Sequence, residues 1–184
     1  INKSVALWSI EENEATKSII KEKGTYKNHR NKVLFLNYNP VVSNMICSSS
    51  FIGDIHVWDS NTLKSHIEIP LKKIPTNIRW NPDGSLIGAS TKGKYINIFD
   101  FRNESICYQF QTTKSYYAPK FAWADNNLFL TIDSYFSGSS LKLWDIRKND
   151  CEVSSIAINY CTNYTFLTKP GSKLSYILGK EQKD

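Results

Sequence analysis

All five tryptophans of this chain fall on one recurring pattern, and that pattern limits the fold more than anything else in the sequence. Three of them close a short β-rich run: Val5-Ala6-Leu7-Trp8, Ile55-His56-Val57-Trp58-Asp59 and Leu141-Lys142-Leu143-Trp144-Asp145. A fourth run, Ile96-Asn97-Ile98-Phe99-Asp100, has the same form with Phe in the closing place, and the four endings lie 50, 41 and 45 residues apart. The other two tryptophans stand upstream, in Asn77-Ile78-Arg79-Trp80-Asn81-Pro82 and Lys120-Phe121-Ala122-Trp123-Ala124-Asp125. Leu36-Asn37-Tyr38-Asn39-Pro40 is the same element with Tyr. These upstream aromatics are 42 and 43 residues apart, and a further step of 43 reaches Phe166. Self-similarity at a period of this size marks a repeat architecture.

Each period carries four strands. In the first full unit Val33 to Asn39 reads as a strand, Asn39-Pro40 turns, and Met45 to Ser50 is the second strand. Gly53 supplies the next turn, Ile55 to Trp58 is the third strand, and Lys64 to Ile69 the fourth. The second unit repeats this with Asn81-Pro82-Asp83-Gly84 as its first turn. First strands are expected near Val33–Asn39, Asn77–Asn81, Lys120–Ala124 and Asn163–Leu167. No stretch carries a helical apolar stripe; the charged segment from Glu11 to Lys17 reads as a solvated loop. The expectation is an all-β chain of about four blade units, divided at 1–26, 27–70, 71–111, 112–158 and 159–184. The first and last of these are incomplete. A four-stranded sheet repeated at this interval is the signature of β-propeller blades, each of which must bury both faces against a neighbour.

These residues resemble the WD-repeat family over essentially the whole chain. The resemblance implies one buried hydrogen-bonded set per well-formed repeat: a His before the first strand, a Ser or Thr in the second, an Asp in the following turn and the third-strand Trp. His29, Ser48 and Trp58 match three of these in the first full unit, with Ile52 at the Asp position. Ser134 and Trp144 match two in the third. Trp80, Phe99 and Trp123 complete the expected structural set. Within the family, the run from Asn77 through Ile87 and on through Ile96 to Arg102 resembles a central repeat of coronins. Leu128 to Thr131, Ser134 to Ser137 and Leu141 to Asp145 resemble the next repeat, and Phe166 to Lys180 the one after that. Asn28 replaces the Gly that usually precedes the His. The resemblance implies a seven-bladed parent, a cytoplasmic, cytoskeletal location, and binding to the actin filament and other cytoskeletal proteins.

Composition removes other classes. Lys and Arg number 23 against 17 Asp and Glu, a net charge of +6, but the basic residues are scattered, so no nucleic-acid partner is expected. No apolar run approaches the ~18 residues that read as a membrane span. The chain opens at Ile1 with no signal-like segment, which suggests a start inside a longer protein. Cys47, Cys107, Cys151 and Cys161 form no metal-binding spacing and read as buried, reduced thiols, so neither metal nor cofactor is expected. Ser48-Ser49-Ser50 lies in a strand, no nucleophile-elbow or phosphate-loop motif occurs, and the chain is not expected to be an enzyme.

What remains is a binding scaffold. Turns between second and third strands should share one rim, where Phe51, Lys92, Tyr135 and Phe136 are the candidate protein contacts. An alternative reading rests on Trp144-Asp145-Ile146-Arg147 and Phe99-Asp100-Phe101-Arg102, which resemble the [WF]-D-x-R docking signature of substrate receptors in cullin-type ubiquitin ligases. Exposed blade faces at the two ends of an open arc would also favour self-association.

Overall fold

The structure is a computed structural model. It describes residues 2–12, 18–112, 119–135, 138–148, 152–158, 161–168 and 175–181, with side chains described over 2–11, 18–112, 119–133, 138–148 and 152–158. Every regular element among them is a β-strand.

Three four-stranded antiparallel meanders form the centre. The first holds β3 (Val33–Tyr38), β4 (Met45–Ser50), β5 (Asp54–Asp59) and β6 (Ser65–Pro70). The second holds β7 (Pro75–Trp80), β8 (Leu86–Thr91), β9 (Tyr95–Asp100) and β10 (Ser105–Gln111). The third holds β11 (Lys120–Trp123), β12 (Leu128–Tyr135), β13 (Gly138–Asp145) and β14 (Glu152–Ile158). A two-stranded sheet of β1 (Val5–Glu12) and β2 (Ser18–Tyr26) precedes them, and one of β15 (Cys161–Thr168) and β16 (Ser175–Glu181) follows. The expected first strands therefore appear as β3, β7, β11 and β15. Glu11 and Glu12, expected in a loop, instead extend β1 by pairing with Ile19 and Ser18; residues 13–17 lie outside the described set.

Alternation along each strand sends side chains to opposite faces, and here both faces are covered. Ile46 and Trp58 on one face of the first meander pack with Val5, Leu7 and Tyr26 of the β1–β2 sheet. Ile55 and Val57 on the other face join Ile78 and Ile87 of the second meander. Ile96 and Ile98 then meet Phe121 and Phe129 of the third. The core thus lies between sheets, as stacked blades require. Successive first strands, β3, β7, β11 and β15, stand next to one another, while fourth strands form the outer edge. That position explains why Cys107, expected to be buried, is exposed on β10 along with Ile106 and Tyr108. Cys47, on the inner strand β4, is fully buried, and burial pushes its thiol pKa up.

Polar contacts lace the first strands across the blade boundaries. The Trp80 indole N–H donates to the Asn37 carbonyl at 3.2 Å, and Trp123 makes the same bond to the Arg79 carbonyl at 3.2 Å. Asn39 and Asn81 each cap their own turn through Oδ1 and donate forward, Asn39 to the Gly84 carbonyl at 2.9 Å and Asn81 to the Asn126 carbonyl at 3.4 Å. Tyr38 holds the same register as Trp80 and Trp123 but is half exposed, because the β1–β2 sheet presents no first strand for it to reach.

Candidate functional site

The densest polar cluster lies in the first full blade, between β2, β4 and β5. Trp58 Nε1–H donates to Ser48 Oγ at 3.0 Å, and Ser48 Oγ meets His29 Nε2 at 2.6 Å. On the far side of its ring, His29 Nδ1 faces Asp54 Oδ1 at 3.5 Å. The acid of the set is thus Asp54, not the position of Ile52, which is half exposed in the turn. The turn takes three residues, closed by the Gly53 N–H to the Ser50 carbonyl at 3.1 Å, so the residue opposite His29 is the first of β5. The Ser50 amide donates to Asp54 Oδ1 at 3.0 Å and fixes the carboxylate. Burial alone would raise the Asp54 pKa, but the side chains of His29, His56 and Ser50 outweigh it and hold the carboxyl well below the usual carboxylate range.

His56 enters the cluster from β5 and was not among the expected site residues. Its Nε2 lies 3.3 Å from Asp54 Oδ2, its Nδ1 bonds the Tyr26 hydroxyl at 2.8 Å, and its ring stacks on His29 with centroids 4.0 Å apart. Tyr26 in turn lies flat on Trp58 at 4.5 Å between centroids, and burial raises its hydroxyl pKa. The sequence signal for His56 is faint but real. Two residues before the closing aromatic, all three blades place a polar residue, His56, Asn97 or Lys142, and all three are buried. Each is matched by a polar residue from the fourth strand: Glu68 at 3.6 Å, Gln109 at 2.7 Å and Glu152 at 2.6 Å.

The remaining blades vary the same theme. In the third, the Trp144 indole donates to Thr131 Oγ1 at 2.8 Å, so Thr131 takes the place expected for Ser134. The hairpin between β12 and β13 is longer: Trp144 pairs with Phe129, whereas Trp58 pairs with Ile46. Counting back from Trp144 by the first blade's spacing therefore stops at Ser134, three residues short of Thr131, and the Ser134 side chain lies outside those described. In the second blade Ala89 holds the hydroxyl position and Phe99 the indole position, so donor and acceptor are lost together and packing alone remains.

The rim holds the other candidates. Phe51 is half exposed beside Ile52, and Lys92 is exposed in the matching turn of the second blade. Their amides donate to the Lys32 and Ile74 carbonyls of the incoming links, each at 2.9 Å, so turn and link are knitted on one edge. Gly53, at φ 82°, sits so close to the next link that a Cβ would lie 2.5 Å from the Lys73 carbonyl oxygen. Tyr135, expected in a turn, ends β12 opposite Gly138; its side chain and all of Phe136 lie outside the described residues. At the opposite strand ends Arg102 grips Asp100 through Nε at 2.8 Å and a terminal nitrogen at 2.7 Å, and Arg147 grips Asp145 at 2.9 and 2.7 Å.

Comparison with known proteins agrees with this geometry. No protein-family model matches the sequence. The chain is 22% identical over 190 residues to coronin-2A of Bos taurus, covering 98% of this chain and 36% of that protein. It is 23% identical over 197 residues to a coronin-like protein of Saccharomyces cerevisiae, covering 96% of this chain and 29% of that one. The chain thus spans about a third of the length of the curated relatives it matches. Among solved structures, the WD40 domain of Toxoplasma gondii coronin superposes with a TM-score of 0.83 at 22% identity, over 97% of this chain and 48% of that chain. The stacked four-stranded sheets, the closing indoles and these likenesses agree: the chain has the fold of a WD-repeat β-propeller and resembles the coronins.

Proposed function

We propose that this chain is a coronin-like, non-enzymatic scaffold that binds the actin filament and regulates cytoskeletal dynamics in the cytoplasm. The observation that carries this reading is similarity to coronins along nearly the whole chain, with the propeller fold that such similarity requires. The rim supports it. A rigid turn presenting Phe51 and Ile52, with Lys92 exposed in the matching turn, is the mixture of apolar anchor and charge that protein contacts use. A net charge of +6 favours encounter with an acidic partner. The alternative, docking to a ubiquitin-ligase adaptor through Arg102 and Arg147, is less well supported, because both guanidinium forks already bind the aspartate of their own motif.

Parallel capture separates the two. The immobilised chain should retain actin filaments and not the ligase adaptor. Retention of the adaptor with no filament binding would replace this reading with the alternative.

A further inference from the structure

Basic residues that lie scattered along the sequence meet on one face of the folded chain. Four backbone bonds knit the links between sheets to the turns between second and third strands: the Phe51 amide to the Lys32 carbonyl, Leu71 to Gly53, Lys92 to Ile74 and Thr112 to Lys94, all at 2.8 or 2.9 Å. The segments so joined, 27–32, 51–53, 71–74 and 92–94, carry Lys27, Arg30, Lys32, Lys72, Lys73, Lys92 and Lys94, every one of them exposed. They carry no Asp or Glu. Asp54, which follows the first turn, is 4% exposed and faces His29 and His56. We propose that this face docks on a membrane bearing anionic lipid headgroups, with Phe51 and Ile52 entering the headgroup boundary.

The sign of the charge is the first argument. A protein partner presents charges of both signs, whereas a leaflet of anionic lipids is negative throughout and rewards a face without carboxylates. The turns at the opposite strand ends are mixed: Asp83, Glu104 and Asp125 stand there beside Lys148, and Arg102 and Arg147 are held by their own aspartates. The kind of cation is the second argument. Six of these seven basic residues are lysines, point charges on flexible stems that suit a diffuse anionic layer. The planar fork that reads base edges in nucleic acids comes once, at Arg30. The third is the apolar tip. Phe51 and Ile52 are each 48% exposed on a turn anchored by its backbone bonds, and apolar side chains set among lysines are what seats a peripheral protein at a bilayer surface. Lys73 makes the patch continuous. Its carbonyl oxygen lies 2.5 Å from where a Gly53 Cβ would stand, and its ammonium 2.6 Å from the same point at Gly93. The face includes the Phe51–Lys92 rim, so membrane and filament would exclude one another there, but the inference does not rest on the filament reading.

The test is sedimentation of the full chain with lipid vesicles in the absence of filaments. The chain should pellet with phosphatidylcholine vesicles containing about 30% phosphatidylserine and not with phosphatidylcholine alone, and binding should fall steeply as salt is raised. Each lysine near an anionic leaflet raises partitioning about fivefold, so Lys72→Glu with Lys94→Glu should lower it by more than about tenfold. Lys64→Glu with Lys148→Glu, on the opposite turns, should bind as the parent does. A parent chain that stays in solution with anionic vesicles at low salt, equal binding to neutral vesicles, or a Lys72/Lys94 variant that pellets as well as the parent would overturn the proposal. Retention of duplex DNA with no vesicle binding would assign the face to nucleic acid and overturn it as well. Should the Lys72/Lys94 variant melt early, the lipid and salt dependence of the unaltered chain still decides. No filaments are present, so failure here leaves the filament reading standing.

Discussion

Ser48 joins an imidazole and an indole in one buried contact, so removing its hydroxyl strands two groups at once. Ser48→Ala is expected to cost about 2 kcal/mol, the penalty of unsatisfied buried groups, measured by urea unfolding; a change within experimental scatter would show that the relay is not stabilising. Asp145 offers a pH test. Arg147 lowers its carboxyl to about 2, against ~3.9 unfolded, so the unfolded chain binds more protons between these values. The stability this pair provides is full above pH ~4 and lost as pH falls toward 2. Urea midpoints of the parent and Arg147→Ala should therefore differ at neutral pH and converge near pH 2; a constant gap would disprove the pairing. At this scale the sequence was partly legible. His29, Ser48 and Trp58 follow from the resemblance to the WD-repeat family, but Asp54 and Thr131 depend on how many residues each hairpin spends in its turn, which strand pairing decides and the repeat pattern does not.

At the scale of strands and blades, the repeated aromatics do the organising. Trp58 and Trp144 are 0 and 2% exposed and sit between sheets, so Trp58→Ala and Trp144→Ala should each destabilise by about 3–5 kcal/mol. Lys92→Ala, on the exposed turn, should stay within about half a kcal/mol of the parent. Thermal melts that ranked these the other way would contradict the blade assignment. The strands were legible because turn residues and closing aromatics recur at fixed intervals. Trp8 is the exception: it keeps the closing register yet is 60% exposed, since only β2 pairs with β1 and nothing described covers that indole. The lacing through Asn39 and Asn81 was invisible in the sequence, because an Asn-Pro pair signals only a turn, and its forward bond needs the neighbouring blade in place.

For the whole molecule, the β1–β2 sheet leaves open, among the described residues, an apolar face of the kind the middle blades bury. Trp8, Ile10 and Ile20 are exposed on the β1–β2 sheet, an apolar face of the kind that associates in water. Light scattering on this chain should show its apparent mass rising with concentration, and Trp8→Ser with Ile20→Ser should reduce that rise; a constant monomer mass would contradict it. Backbone bonds tie the Phe51 and Lys92 turns to their links, so in the proposed filament reading a partner would meet a surface already in place.

Co-sedimentation with actin filaments tests the central claim that this rim is a filament-binding surface. The parent chain should pellet with filaments in a salt-sensitive manner, and Phe51→Ser combined with Lys92→Glu should remain in the supernatant while melting as the parent does. A parent chain that stays in solution at every filament concentration, or a rim variant that pellets as well as the parent, would contradict the account.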